Sequence, residues 1–156
     1  MKTLALSAFW TAALALTAVP ALAQSPAPSP APATAQAPAP ARIALTFDVG
    51  AATGMIMVAL YDSETAYPDG RPVRTARVDV AAGNRVAVFD GLPAGAYAMK
   101  AFHDLDGDGT LDFNPFGIPT EPYAFSNNAV GNMGPASWDR AHFAASGETA
   151  QTIRIR

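Results

Sequence analysis

The sequence predicts an all-β domain, an antiparallel sandwich of about seven strands with one long irregular loop. Apolar residues from position 43 onward recur with a period of about two rather than about 3.6, and no stretch of comparable strength carries helical spacing. Glycine, proline, asparagine and aspartate interrupt the apolar runs at short intervals, which is how strands joined by turns read.

Ile43, Leu45, Phe47 and Val49 alternate with Ala44, Thr46 and Asp48, giving a first strand with one face for the core. Residues 50–54, glycine at each end, turn the chain into a run over 55–61 that is apolar at both parities, as a central strand covered on both faces requires. Tyr67-Pro68-Asp69-Gly70 is a turn in which proline fixes φ and glycine accepts a positive one, and a third strand follows over 73–80. Ala81-Ala82-Gly83-Asn84 is expected to close a hairpin into a strand over 85–89. Gly91-Leu92-Pro93-Ala94-Gly95 is the next tight connection, after which residues 97–102 return as a strand. Residues 149–156 supply the last one, with Ile153 and Ile155 alternating against Thr152, Arg154 and Arg156.

Upstream of this domain the composition changes twice. Lys2, an apolar run over 4–19 and the small residues Ala21-Leu22-Ala23 read as a secretory signal cleaved before Gln24. The run is shorter than the roughly 20 residues of a membrane span, is diluted by Ser7, Thr11 and Thr17, and stops at Pro20, so no transmembrane segment is expected after cleavage. Residues 24–41 contain only Pro, Ala, Ser, Thr and Gln, a disordered linker that in polyproline II form extends about 3.1 Å per residue, on the order of 50 Å. The expected organisation is a signal over 1–23, a linker over 24–41 and a sandwich over 42–156, in a periplasmic or secreted protein. The chain has no cysteine, hence neither a disulfide nor a thiol for a lipid, and its net charge of −3 makes nucleic acid an unsuitable partner.

The sharpest chemical signal is the segment from Asp104 to Asp112, where Asp104, Asp106, Asp108 and Asp112 surround a glycine turn. At about 5 Å and an effective dielectric of about 20, each pair of such charges repels by roughly 3 kcal/mol, so the loop calls for a cation. Oxygen ligands at this spacing fit calcium. By analogy with the EF-hand loop, Asp104, Asp106 and Asp108 take the first, third and fifth positions, Gly109 makes the sharp turn, Thr110 offers its carbonyl and Asp112 stands ninth. Pro115 replaces the bidentate glutamate and no helix flanks the loop, which removes the EF-hand fold but not the ion. Glu121, Asp139 or a loop carbonyl would complete the shell. The competing reading is a solvated loop in which the aspartates only bond to nearby backbone. His103 and His142 admit a transition metal, but the oxygen-rich set favours calcium or magnesium. Otherwise His103 reads as a strand-end residue half in water and His142 as a loop residue supporting Phe143.

Residues 114–145 form the long irregular stretch, and such a length of chain in a small domain is functional or tied down. Tyr123, Phe125, Asn127, Asn128, Asn132 and Trp138 combine aromatic faces with amides, the chemistry of a shallow site for a cell-envelope glycan or protein. Alternatively the aromatics cap the sandwich and the asparagines satisfy loop backbone at positive φ. The chain lacks a Gly-x-Ser-x-Gly elbow, a His-Glu-x-x-His helix and a phosphate-cradling loop, so no catalytic residue is assigned; a hydrolase would have to use a carboxylate pair such as Glu121 and Asp112. The expected function is an exported, non-catalytic binding or accessory module stabilised by calcium, with a purely structural domain as the alternative.

Met57-Val58-Ala59-Leu60-Tyr61-Asp62, Phe89 through Tyr97, His103 through Asp112, Phe116-Gly117-Ile118-Pro119, Tyr123 through Ala129 and Gly134-Pro135-Ala136-Ser137-Trp138 together resemble the bacterial exported family known as domain of unknown function 2141. The resemblance covers essentially the whole sandwich and implies no activity. The Leu92-Pro93-Ala94-Gly95-Ala96-Tyr97 segment is also similar to hairpins of transthyretin-like and collagen-adhesin B-type sandwiches, which implies an immunoglobulin-like or prealbumin-like fold.

Overall fold

The computed structural model describes residues 39–156, so the expected signal peptide and nearly all of the expected linker lie outside the described residues. Eight strands make up the domain: β1 (Ala41–Asp48), β2 (Met55–Tyr61), β3 (Arg74–Asp79), β4 (Val86–Leu92), β5 (Gly95–Asp104), β6 (Tyr123–Phe125), β7 (Phe143–Ala145) and β8 (Glu148–Arg154). They form a three-stranded sheet, ordered β4-β1-β8, and a five-stranded sheet, ordered β3-β2-β5-β6 with β7 also on β5, and the two make a β-sandwich. One 3-10 turn (Ser126–Asn128) and one helical turn, α1 (Trp138–Ala141), are the helical elements of the described residues.

The alternation read in the sequence places the core. Ile43, Leu45 and Phe47 of β1, Ile56, Val58 and Leu60 of β2, and Tyr97, Met99 and Ala101 of β5 are buried between the sheets with Phe89, Leu92 and Ile153. Fully burying each large aliphatic or aromatic side chain contributes about 1.5–3 kcal/mol. β1 starts inside the expected linker: Ala41 is only 1% exposed and sits opposite Leu92.

Three expectations require correction. The sandwich is not wholly antiparallel, because β1 and β8 run parallel in register from Arg42 opposite Glu148 to Asp48 opposite Arg154. A parallel neighbour needs a long crossover, and here the other sheet supplies it: the chain leaves β1, builds β2, β3 and β5 to β7 elsewhere, and re-enters beside its start. The turn at 81–84 is real, with Asn84 N–H donating to the Asp79 carbonyl and Ala82 N–H to its carboxylate, yet it passes the chain from β3 to β4 in the opposite sheet. The connection at 91–95 does the same between β4 and β5. Turn residues fix a local reversal; the side-chain faces on either side decide which sheet receives the chain. Tyr97 locks the second crossing at its corner by donating its hydroxyl to the Pro93 carbonyl at 2.7 Å.

β6 and β7, unforeseen in the sequence, lie along the same edge of β5, β7 opposite Gly95 to Tyr97 and β6 opposite Lys100 to Phe102. Ser126 fills the gap between them. Its buried hydroxyl accepts from Met99 N–H at 2.8 Å and donates to the Ala141 carbonyl at 2.6 Å, so no amide is orphaned where one partner strand ends and the next begins. On the outer face of this sheet Tyr61, Tyr67, Ala98, Phe125, Ala136 and Ala141 form a second apolar cluster with Trp138 packed against it.

Two tyrosines should respond oppositely to loss of a hydroxyl. Tyr97→Phe leaves the Pro93 carbonyl without its donor and is expected to cost about 1–2 kcal/mol in urea unfolding, with the slope unchanged. The buried Tyr67 hydroxyl has no hydrogen-bond partner among the described residues, so Tyr67→Phe is expected to be neutral or stabilising. Equal losses in both variants would refute this assignment of roles.

Candidate functional site

β5 delivers the chain straight into the acidic loop, since its last residue is Asp104. The carboxylates of Asp104, Asp106 and Asp108 bring one oxygen each within 4.8 Å of the others. Asp104 is 2% exposed; one of its oxygens accepts from Gly107 N–H at 2.7 Å and the other from Gly109 N–H at 3.0 Å. Wrapping two amides around one side chain needs left-handed backbone at both donors, φ of 86° and 82°, which is why glycine stands there. Asp106 accepts from Asp108 N–H, and Asp108 from both the amide and hydroxyl of Thr110. These Thr110 bonds hold the exposed Asp108 carboxyl below its ordinary range.

Glu121 is buried and sits outside the three-carboxylate group. Its carboxylate accepts from Leu105 N–H at 2.8 Å and, more weakly, from Asp112 N–H at 3.4 Å, so it ties the two ends of the acidic loop together. The exposed Asp112 and the α1 residue Asp139 are likewise outside that group. Thr110 is placed through Asp108, by the hydrogen bonds already given. His103, expected half in water, is fully buried, because the alternation that turns Tyr97, Met99 and Ala101 inward turns it inward too; its Nε2–H donates to the Thr53 carbonyl at 2.6 Å. The adjoining Gly54 touches the Asp104 backbone so closely that a Cβ would collide with the carbonyl oxygen.

The aromatic and amide residues divide into two places. Asn127 and Asn128, both at positive φ, face the backbone. Asn127 donates to the carbonyl of His142 at 2.8 Å and exchanges bonds with Gln151, while Asn128 donates to the Thr152 carbonyl and accepts from Arg154 N–H. They knot the 3-10 turn to β8 and to the end of α1. Trp138 is half-buried, edge-on to Tyr67 at 5.9 Å and stacked on His142 at 5.5 Å. Tyr123 and Phe125 instead line a groove of about 970 Å³ on the outer face of the five-stranded sheet.

That groove was not anticipated. Its floor is Met57 and Ala59 of β2 with Lys100 and Phe102 of β5, side chains one pleat away from the core-facing set. One wall is the segment that follows the acidic loop: Phe113 bridges to Pro119, and Asn114 accepts from the amides of Phe116 and Ile118, which leaves Phe113, Phe116 and Ile118 largely exposed. Phe116 is 88% exposed. Gly131, Met133, Gly134 and Pro135 form the other lip. Lys100 donates to the Tyr67 carbonyl at 2.7 Å with its ammonium 4.3 Å from that ring's centre, and burial lowers its pKa. The period-two reading of 55–61 contained one hint, a strand apolar on both faces, but only the topology shows that nothing from this sheet covers the second face here.

Fold and loops define a small β-sandwich module with an acidic loop at one sheet end and an open apolar groove beside it. Residues 47–154 match the family described as an uncharacterized protein conserved in bacteria, domain of unknown function 2141, and the chain belongs to it. No curated protein and no solved structure gives a significant match. Among the described residues no helix is long and apolar enough to cross a membrane.

Asn127→Ala removes the carbonyl contacts and places a Cβ-bearing residue without a compensating amide at φ 58°, and is expected to destabilise the domain by about 1–3 kcal/mol. A melt unchanged from wild type would show that the knot does not stabilise. The lowered Asp108 pKa also has a direction that can be checked. The contribution of its Thr110 bonds is complete above the ordinary value of 3.8 and lost as pH falls through the lower folded value, so the Thr110 amide resonance should titrate below 3.8. Titration at or above 3.8 would contradict it.

Proposed function

We propose that this protein is an exported, non-catalytic binding module of the cell envelope whose acidic loop holds a calcium ion. The observation that carries the reading is continuity: the segment bearing the aspartates runs on as the wall of the groove, through Leu111, Phe113 and Phe116. An ion on Asp104, Asp106 and Asp108 would fix the start of that wall and offset the repulsion of three carboxylates held within 4.8 Å. The donor set fits, being all oxygen, with the buried Asp104 anchored by Gly107 and Gly109 so that an incoming ion need not order it.

Lys2, the apolar run over 4–19 and Ala21-Leu22-Ala23 support export to the periplasm or beyond. The bonds that engage Glu121 with the amides of Leu105 and Asp112 favour a structural tie over a hydrolytic pair. With the amides of Asn127 and Asn128 spent internally, the groove is the better place for a glycan, peptide or other ligand than the face those residues occupy.

Calcium is tested by melting the protein in millimolar calcium and in chelator. A dissociation constant near 10⁻⁴ M stabilises by about 1.4 kcal/mol at about 1 mM ion, and a micromolar constant by about 4 kcal/mol. Asp106→Asn, at an exposed position, should abolish the calcium increment and, by removing one of three mutually repelling charges, leave the chelator melt at or above that of the wild type. Coincident melts of the wild type in both buffers, with no heat on titration, would exclude the ion.

A further inference from the structure

The groove carries charge of one sign. Among its lining residues the charged side chains are Lys100 in the floor and Arg77 on β3, across β2 from Phe102, and no aspartate or glutamate is among them, although the whole chain is net acidic at −3. No carboxylate lies within ion-pairing distance of either cation among the described residues. Lys100 spends one of its three donors on the Tyr67 carbonyl and rests against the Tyr67 ring, which leaves donors for an anion. The Tyr67 carbonyl and the Tyr61 and Tyr67 rings offset part of the cost of half-burying this cation, but no counterion does, and an anionic ligand would supply one. Around it Met57, Phe102, Phe113, Phe116, Ile118 and Met133 supply an apolar surface too extensive for a bare inorganic anion. The volume of about 970 Å³ lies within the range of sites for small organic ligands.

We propose that this groove binds a single-chain amphiphile bearing one carboxylate, its head on Lys100 and its hydrocarbon chain between the 113–118 wall and the lip at Met133. This deepens the binding-module reading, on which it rests, by naming the ligand class. A flat anionic membrane surface fits less well, because Lys100 stands in the floor of the groove beneath the exposed tips of Phe116 and Met133.

Calorimetric titration of the purified protein with decanoate below its micellar concentration and with decanol below its solubility limit tests the proposal. Decanoate is expected to bind one to one and at least about tenfold more tightly than the alcohol, as a charge-assisted hydrogen bond to a shielded ammonium provides. Lys100→Met should bring decanoate down to the level of decanol and leave decanol unchanged, whereas Phe116→Ser should weaken both. Should Lys100→Met fail to fold, Lys100→Gln, which removes the charge and keeps an amide donor, should still reduce the preference for the acid. Equal binding of acid and alcohol by the wild type, with Phe116→Ser weakening both, would overturn the anionic class while the groove remained a binding site. Binding of neither amphiphile would overturn the proposal and remove the groove from the binding-module reading. Binding to anionic phospholipid vesicles without binding to free decanoate would replace the proposal with a membrane-surface contact.

Discussion

The strict alternation of β5 is the constraint on which the rest of this structure depends. One parity sends Tyr97, Met99, Ala101 and His103 into the core; the other sends Ala98, Lys100, Phe102 and Asp104 to the outer face. A single strand therefore supplies the corner tyrosine, the centre of the sandwich, half of the groove's floor and the first carboxylate of the acidic loop. A slip of one residue in its pairing with β2 would exchange these sets, burying Lys100 in the core and pushing Met99 into water. Register here is protected from both edges: β2 pairs along one side, while β6, β7 and the Ser126 hydroxyl share the other.

The five-stranded sheet is asymmetric in what covers it. Its inner face contributes Ile56, Val58, Leu60, Tyr97, Met99 and Ala101 to the core shared with the other sheet. Part of its outer face is covered by Tyr67 and by the segment from the 3-10 turn to α1, with Trp138 and Ala141 as its apolar contacts. The remainder lies open between two loops. Tyr61 and Phe125 belong to both regions, which makes the packed cluster the fixed end of the groove. Rigid strands supply the floor and loops the walls, the division of labour common in small-ligand sites.

Much of this was legible in the sequence where a residue's neighbours along the chain determine its environment. The alternation of Ile43, Leu45 and Phe47, the central position of β2 and the clustering of Asp104, Asp106 and Asp108 are all local facts. What escaped depends on residues far apart. The parallel partner of β1 lies some hundred positions downstream. The crossings at 81–84 and 91–95 carry ordinary turn chemistry, so nothing local distinguishes them from hairpins. β6 and β7 are three residues each, shorter than any period that could reveal them. The pairing of Asn127 with Gln151 and of Asn128 with Arg154 likewise joins segments that only the fold brings together. Asn, Tyr and Trp in an irregular stretch carry the same signal whether they face a ligand or mend backbone.

The parallel pairing of β1 with β8 governs how the domain would bear mechanical load. Ala41 enters at the end of the sandwich where Leu92 and Gly147 lie, while β8 leaves at the opposite end, where Ile155 N–H donates to the Asp48 carbonyl. Tension between the two ends would pull the adjacent strands past each other lengthwise, loading the ladder from Arg42 opposite Glu148 to Asp48 opposite Arg154 in shear. The evenly spaced bonds of a parallel ladder would share that force rather than break in succession as a peeled hairpin does. The acidic loop, about nine strand residues and roughly 30 Å along β5 from Gly95, lies at the end where β8 leaves, since Arg156 exchanges backbone hydrogen bonds with Tyr123, itself opposite Phe102 of β5.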